Sequence, residues 1–392
     1  MTMRWATKPG RLNIVVSGGI AGTPNQAGIA WVMLQYVLGL QRLGHGVFFI
    51  DPIQPEALSP PGTALADTAN AAAFDRLVTE FGLVDASALV VTDGSRATIG
   101  QSYEDVKAVI GQSDILLDIS GKLRDAELLA AATRAVYLDI DPAFTQLWQY
   151  AQGIDMGFEG HTDFVTVGLN IGQADCTVPT LGLDWHTTLQ PVVLERWPMS
   201  PPRPAGPLTT IANWRGYGSI EHAGIFYGQK VHALRELMTL PTLTAEVFEL
   251  ALVIDPAEVK DLALLQANRW RIVDPAVVAG TASAYQAFIR ESKAEFGFAK
   301  TGYVASRCGW FSDRSICYLA SGRPVIAQET GFSRVIPSGR GLLAFSTIPD
   351  VLDAIASLNG NYDDHARGAR ALAEEFFDSD RVLGRLLSGL GA

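Results

Sequence analysis

The chain has 392 residues, more than one compact core usually fills, so two domains of ordinary size are expected. Hydrophobic residues make up 48% and charged residues 18%, which excludes a disordered protein; a net charge of -11 excludes a default affinity for nucleic acid or an anionic membrane. The three cysteines, Cys176, Cys308 and Cys317, form no C-x-x-C pair, which excludes a disulfide framework and fits a reducing compartment.

The N-terminal stretch MTMRWATKPGRLNIVVSGG starts basic, but its apolar run covers only Leu12 to Val16, too short for the core of a signal peptide. The most apolar helical stretch, IAWVMLQYVLGL, carries Gln35 and Tyr36 and ends after about three turns, short of a bilayer span. A cytoplasmic protein without an integral membrane segment is expected.

Short apolar runs then alternate with helical patterns. LNIVVSGG (12–19), HGVFFIDP (45–52), SALVVTDG (87–94), DILLDISG (114–121) and RAVYLDIDP (134–142) each read as a strand closed by Gly, Asp or Pro. This rhythm predicts a doubly wound α/β sheet, with ligands at the carboxyl ends of its parallel strands. Gly18, Gly19 and Gly22 follow the first run, at one such strand end. A dinucleotide fingerprint is the rival reading of that loop, with Asp51 as its ribose-binding acid, although the G-x-G-x-x-G register puts Ser17 at the first glycine. Asp139 and Asp141 alternate at the fifth strand end, so both are expected on one face. Together with His161 in GHTDFVTVG they are candidate general bases for a hydroxyl, Asp141 foremost.

From Gln190 to Pro207 the chain holds six prolines and little periodicity, which reads as a linker between domains at 1–189 and 208–392. The strand rhythm restarts with LTTIAN (208–213), AEVFELALVI (245–254), RWRIVDP (269–275), KAEFGFAK (293–300), GRPVIAQ (322–328) and GLLAFS (341–346). Two such domains leave a cleft between facing strand ends, the default ligand site. Ahead of the GRPVIAQ strand, a loop TGYVASRCGWF leads to Ser312-Asp313, an N-cap and first turn for RSICYLAS, and Gly322 stops that helix. Its free backbone N–H groups, the loop glycine Gly309, the flanking Arg307 and Arg314 and, a short distance before, Lys300 are equipment for a phosphate. The next strand ends in Glu329, Thr330 and Gly331, a neighbouring loop for the group attached to that phosphate.

The run GRPVIAQETGF, followed by GRGLLAF and the DVLDAI helix, resembles the C-terminal half of glycosyltransferases of the GT-B fold. CGWFS resembles the His-Cys-Gly-Trp-Asn-Ser donor signature of the plant secondary-metabolite glycosyltransferases. The likeness is close over roughly the last hundred residues and architectural elsewhere. It implies two Rossmann-like domains facing across a cleft, the first on the acceptor side and the second holding a nucleotide diphosphate sugar. In that frame Arg307, Gly309, Ser312, Asp313 and Arg314 serve the diphosphate, Glu329, Thr330 and Gly331 the sugar, and the loop with Gly18, Gly19 and Gly22 is the wall that meets the acceptor or the donor phosphates across the cleft. Arg215 in IANWRGYG and Lys230 in GIFYGQKVHALREL match, in type and order, an arginine and a lysine that neutralise the diphosphate. The chain departs from the pattern at Arg307, which replaces the histidine, and at Gly309 and Cys317, where retaining members carry a glutamate pair. The resemblance implies a hexosyltransferase acting on a hydroxyl-bearing acceptor, with the nucleotide sugar as co-substrate and no further cofactor. Arginines and a helix N-terminus already offset the phosphate charge, so no metal is expected at the Asp139-x-Asp141 motif. A nucleotide-sugar epimerase of the same architecture and an NAD-dependent oxidoreductase using the N-terminal glycine loop are the alternatives.

Overall fold

A computed structural model of the chain describes residues 10–392; the basic start, residues 1–9, lies outside them. The first sheet contains β1 (Asn13–Ser17), β2 (Gly46–Ile53), β3 (Ser87–Val91), β4 (Thr98–Gly100), β5 (Ile115–Ile119), β6 (Ala135–Asp139), β7 (Asp163–Thr166) and β8 (Trp185–Thr187). Their order is β4-β3-β2-β1-β5-β6-β7-β8, parallel apart from the β3–β4 pair. The central strand reads NIVVS and sets Ile14 against both Val47 and Ile115. Branched side chains on both faces suit a parallel strand covered by helices on each side. The edge strands β4 and β8 have three residues each, too few for a periodic signal, so the sequence rhythm missed them.

The second half begins with β9 (Leu208–Asn213) and a separate hairpin of β10 (Ile220–His222) and β11 (Ile225–Tyr227). It continues with β12 (Phe248–Val253), β13 (Arg271–Val273), β14 (Ala294–Gly297), β15 (Val325–Gln328) and β16 (Leu342–Phe345). The sheet order is β13-β12-β9-β14-β15-β16, all parallel. Strand order reverses beside β1 in the first sheet and beside β9 in the second, so each sheet opens a crevice at the carboxyl ends of its strands.

The helix Ala27–Arg42 joins the halves, which explains its membrane-like composition: a helix that is apolar all round is buried all round. Trp31 packs edge-on against Trp197, centroids 4.8 Å apart, and donates Nε1–H to the Ala282 carbonyl at 3.1 Å. A Cβ at Gly39 would lie 2.6 Å from Leu383 Cδ1, so glycine there admits the final helix, Ser379–Gly389. Among the described residues no helix is long and apolar enough to cross a membrane.

Two expectations change. Residues 190–207 contain no helix or strand, yet they are not a free tether. Val192, Val193 and Trp197 are buried, and Val192 donates to the Phe377 carbonyl (2.7 Å) while accepting from Ser379 N–H (3.0 Å). The outgoing and returning chains thus cross side by side, and the final helix packs on the first helix of the N-terminal half instead of staying where chain order alone places it. The stretch TGYVASRCGWF, expected as a loop, opens with the helix Thr301–Ser306, closed by Arg307 in a left-handed conformation.

Candidate active site

The carboxyl ends of β9, β12 and β13 face the start of the helix Ala27–Arg42 across a cleft of about 780 Å³. Ile211, Ile254, Ile272 and Val273 form its wall on one side, and Gly28 and Ile140 on the other. That size suits a nucleotide-sized ligand, and the apolar walls suit a flat base.

Four charged side chains line the cleft, and they divide into occupied and unoccupied groups. Arg314 is buried and committed: Nε donates to Glu295 Oε1 at 2.6 Å and Nη1 to the Ile211 carbonyl at 2.8 Å. Asp274 caps the short helix Pro275–Val278 by accepting from Ala276 N–H at 2.9 Å. Lys230 and Asp313 are different. Among the described residues neither the Lys230 ammonium nor the Asp313 carboxylate makes a hydrogen bond or ion pair with another side chain, although each residue opens a helix, Lys230–Glu236 and Asp313–Ala320. Burial, reinforced by the charge of Arg314, pushes the Lys230 ammonium down to about 7. Burial pushes the Asp313 carboxyl up, against the attraction of Arg314 and Lys230. Ser312 caps the second of these helices as expected, accepting from Arg314 N–H at 3.2 Å.

Beside the cleft the two halves are clasped by Asp141. Its carboxylate oxygens each lie 2.9 Å from Lys300 Nζ and accept the Tyr217 and Tyr303 hydroxyls. The ammonium of Lys300 also sits over the rings of Tyr217 (3.9 Å), Phe144 (4.7 Å) and Tyr303 (5.0 Å). Cation–π attraction and a shared carboxylate make this a contact between halves, since Asp141 and Phe144 come from one and the other three residues from the second. Burial raises the Asp141 pKa and lowers that of Lys300. A carboxylate with every acceptor site engaged is a poor general base, so the sequence expectation for Asp141 becomes a bridging role.

The expected sugar loop also contacts protein. Asn170 Nδ2 donates to the carbonyls of Arg307 (2.9 Å) and Gly331 (3.0 Å), and a Cβ on Gly331 would lie 2.4 Å from that nitrogen. Gly309, also at positive φ, would bring a Cβ within 3.1 Å of Asn170. Both glycines admit the loop after β7, which explains their presence without a ligand. Thr330 donates to the Trp310 carbonyl and Glu329 accepts from Gly331 N–H, so the two strand-end loops are tied together.

Other expected residues lie elsewhere. Arg215 is half exposed and paired with Glu258, and Arg307 is exposed; neither lines the cleft. The His161 side chain is 1% exposed, 3.3 Å from Asp118 and edge-on to Tyr137, so no acceptor reaches it. Asp139 is not free for a substrate either. It is fully buried and accepts from Asp141 N–H, Thr145 Oγ1, Gln146 Nε2 and Thr166 Oγ1 at 2.8–2.9 Å. Asp51 is equally buried and holds the glycine loop through Ile20 N–H (3.0 Å) and Ala21 N–H (2.8 Å), so it is not available to a ribose. Burial pushes it up to about 7 against those two bonds. The cleft side of that loop is Pro24 to Gly28, not Gly18, Gly19 or Gly22. Sequence reasoning missed Tyr303, Tyr217 and Asn170 and expected Lys300 near a phosphate, not on Asp141; their partners are distant in the chain. The available signal was the long interval between Arg215 and Lys230, which the hairpin fills.

Two parallel sheets with crevices facing across a cleft, and a final helix returning to the first half, define the GT-B fold, as the resemblance implied. Solved structures of that architecture superpose over nearly the whole chain. An alpha-glucosyltransferase in complex with UDP and a 13-mer DNA containing an A:G mismatch aligns at TM-score 0.61 and 11% identity, covering 98% of this chain and 100% of its own. Anabaena Alr3699/HepE in complex with UDP and glucose aligns at 0.59 and 12%, covering 97% and 100%. A glycosyltransferase from Rickettsia africae ESF-5 aligns at 0.55 and 14%, covering 97% of each chain. No protein-family model and no curated protein sequence matches the chain.

Proposed function

We propose that the protein transfers a sugar from a nucleotide diphosphate donor to a hydroxyl-bearing acceptor, with the donor in the cleft between the two sheets. The observation that carries this reading is the Lys230 ammonium, which pairs with no side chain among the described residues and stands at a helix start in an apolar cleft of nucleotide size. A cation drawn partly out of water without a partner is costly unless a ligand supplies the opposite charge. Lys230 then offsets the charge that builds on the departing diphosphate, assisted by the amides at the start of the helix Asp313–Ala320. The Asp141–Lys300 clasp holds the halves together and excludes water from the transfer. Structures of the same fold carrying UDP or UDP-glucose support a nucleotide donor. With phosphate charge met by side chains, the reaction proceeds without a metal, and the nucleotide sugar is the only co-substrate.

The NAD-dependent alternative requires a free acid after β2, and Asp51 is consumed by the loop it holds. The test is a thermal-shift screen of UDP-, GDP- and dTDP-sugars against NAD, followed by turnover of the best binder with and without EDTA. At 100 times its dissociation constant, a binder stabilises by about 2.7 kcal/mol. A shift with a nucleotide sugar and turnover that survives chelation are expected. A shift with NAD alone, or activity abolished by EDTA and restored by manganese, contradicts the reading.

A further inference from the structure

We propose that the hairpin of β10 and β11 is a strap that closes the acceptor side of the cleft, latched to the first half through Asp141, and that it lifts to admit the acceptor. Its role as a gate rests on the reading of the cleft as a donor site; its movement does not.

The hairpin pairs with neither main sheet. Its turn is Ala223-Gly224, both at positive φ as a two-residue hairpin loop requires, so its shape is set locally and it can swing as one body. On its own half it is anchored at Gly228, whose carbonyl accepts from Gly302 N–H at 3.0 Å and where a Cβ would lie 2.4 Å from Thr301 Oγ1. The incoming stem is looser. A Cβ at Gly218 would meet nothing within 4 Å, and the Gly218 carbonyl accepts from Gln229 Nε2 (3.0 Å), which belongs to the outgoing stem.

The ties that seat the hairpin cross to the first half. Tyr217 donates its hydroxyl to Asp141 and sets its ring edge-on to Trp148, centroids 4.3 Å apart. Tyr227 Oη lies 3.2 Å from Thr177 Oγ1, and the His222 ring stands edge-on to that of Tyr150 at 5.4 Å. Ile220 and Tyr227 are buried with Phe144 and Leu147 of the first half. A two-stranded hairpin is marginally stable alone, so its place depends on these contacts. The rest of the junction is held more heavily: Trp31, Trp197, Tyr285, Phe311 and Phe377 share one core drawn from both halves. That leaves the hairpin as the movable piece.

Its position gives the movement a consequence. Through Tyr217 the seated hairpin reaches the end of β6, where Asp141 also meets Lys300 and Tyr303 of the second half. Its outgoing stem, Gly228-Gln229, leads straight into Lys230, which lines the cleft. The strap thus stands between the cleft cation and the first half's strand ends, on the side from which a hydroxyl approaches. Lifting it opens that side while the apolar wall at Ile272 and Val273 stays in place.

The experiment compares the wild type with the double variant Tyr217→Phe, Thr177→Val, which removes two hydroxyl contacts of the strap and keeps the Asp141–Lys300 pair. Without ligand, amide hydrogen exchange at residues 215–229 should speed up by about tenfold or more, the effect of one or two lost hydrogen bonds, while residues 135–139 and 208–213 keep wild-type protection. Equal acceleration in both sheets, or none at 215–229, overturns the strap. The gate is read with saturating UDP-glucose, or GDP-mannose where guanine ligands bind more tightly, and no added acceptor. Water then adds to the anomeric carbon, the bond to the diphosphate oxygen breaks with its electrons staying on that oxygen, and the water proton passes to solvent. This hydrolysis should be about tenfold faster in the variant. Faster exchange without faster hydrolysis overturns the gate. Failure of every nucleotide sugar to bind the wild type removes the donor reading, and the exchange result still decides whether the strap moves. If the double variant does not fold, Tyr217→Phe alone is judged by the same segment.

Discussion

Acids close the strand ends of the first sheet, whereas the strand ends of the second are mostly apolar and leave their charges at the helix starts behind them. Asp51 in β2, Asp118 in β5 and Asp139 at the end of β6 are all fully buried. Each accepts backbone N–H groups from the turn that follows or from a neighbouring loop, and Asp139 adds two hydroxyls and an amide. Across the cleft, the Lys230 ammonium and the Asp313 carboxylate have no side-chain partner among the described residues. The difference separates architecture from function: an acid at a strand end holds a turn when donors saturate it, and a charge invites a ligand when nothing does.

The largest effect expected from this contrast is on stability. Asp139→Ala leaves buried hydroxyl, amide and N–H donors without an acceptor and should cost about 3 kcal/mol or more, read by urea denaturation. The folded fraction should bind nucleotide as before. A variant of wild-type stability would erase the distinction between the sheets. Lys230→Ala should do the reverse, weakening nucleoside diphosphate binding by about ten- to a hundredfold in calorimetry with the melting temperature retained.

A smaller effect is expected with pH. Lys230 must be protonated to attract phosphate, and burial with Arg314 brings it down to about 7 in the free protein. Bound phosphate favours the charged form, so affinity should fall as pH rises from about 7 to about 9, by at most about tenfold per unit. Lys230→Arg, which stays charged, should flatten that profile; an unchanged slope would put the titration elsewhere. Least affected should be Arg215→Ala and Arg307→Ala. Arg215 has an exposed partner pair and Arg307 is exposed, so affinity should stay within about fivefold of wild type. A loss as large as that of Lys230→Ala would move the phosphate to the loop before Ser312.

The strands of both sheets, short edge strands β4 and β8 apart, were legible because their apolar runs are punctuated, as in LNIVVSGG and GRPVIAQ. The cap at Ser312 and the helix it starts were legible because capping is a local matter. What sequence could not give was the state of each charge. Arg314 and Lys230 look alike as cations at helix starts, but only Arg314 meets an acid, Glu295, on the neighbouring strand. Asp141 looked like a free base until Lys300, 159 residues away, closed on it. Gly309 and Gly331 were expected beside a phosphate and its sugar, but the group packed against both is Asn170 of the other half. Pairing over such separations depends on how the halves meet, which no local pattern encodes.

Amide hydrogen exchange, with and without a saturating nucleoside diphosphate, tests the central claim most directly, because it reads both strand-end regions in one sample. The expected result is new protection at residues 211–213, 252–254 and 272–276 and at the helix starts 230–233 and 313–316, with residues 18–22 and 51–53 unchanged. Protection confined to the glycine loop and the end of β2, with the second sheet silent, would contradict a donor site between the halves.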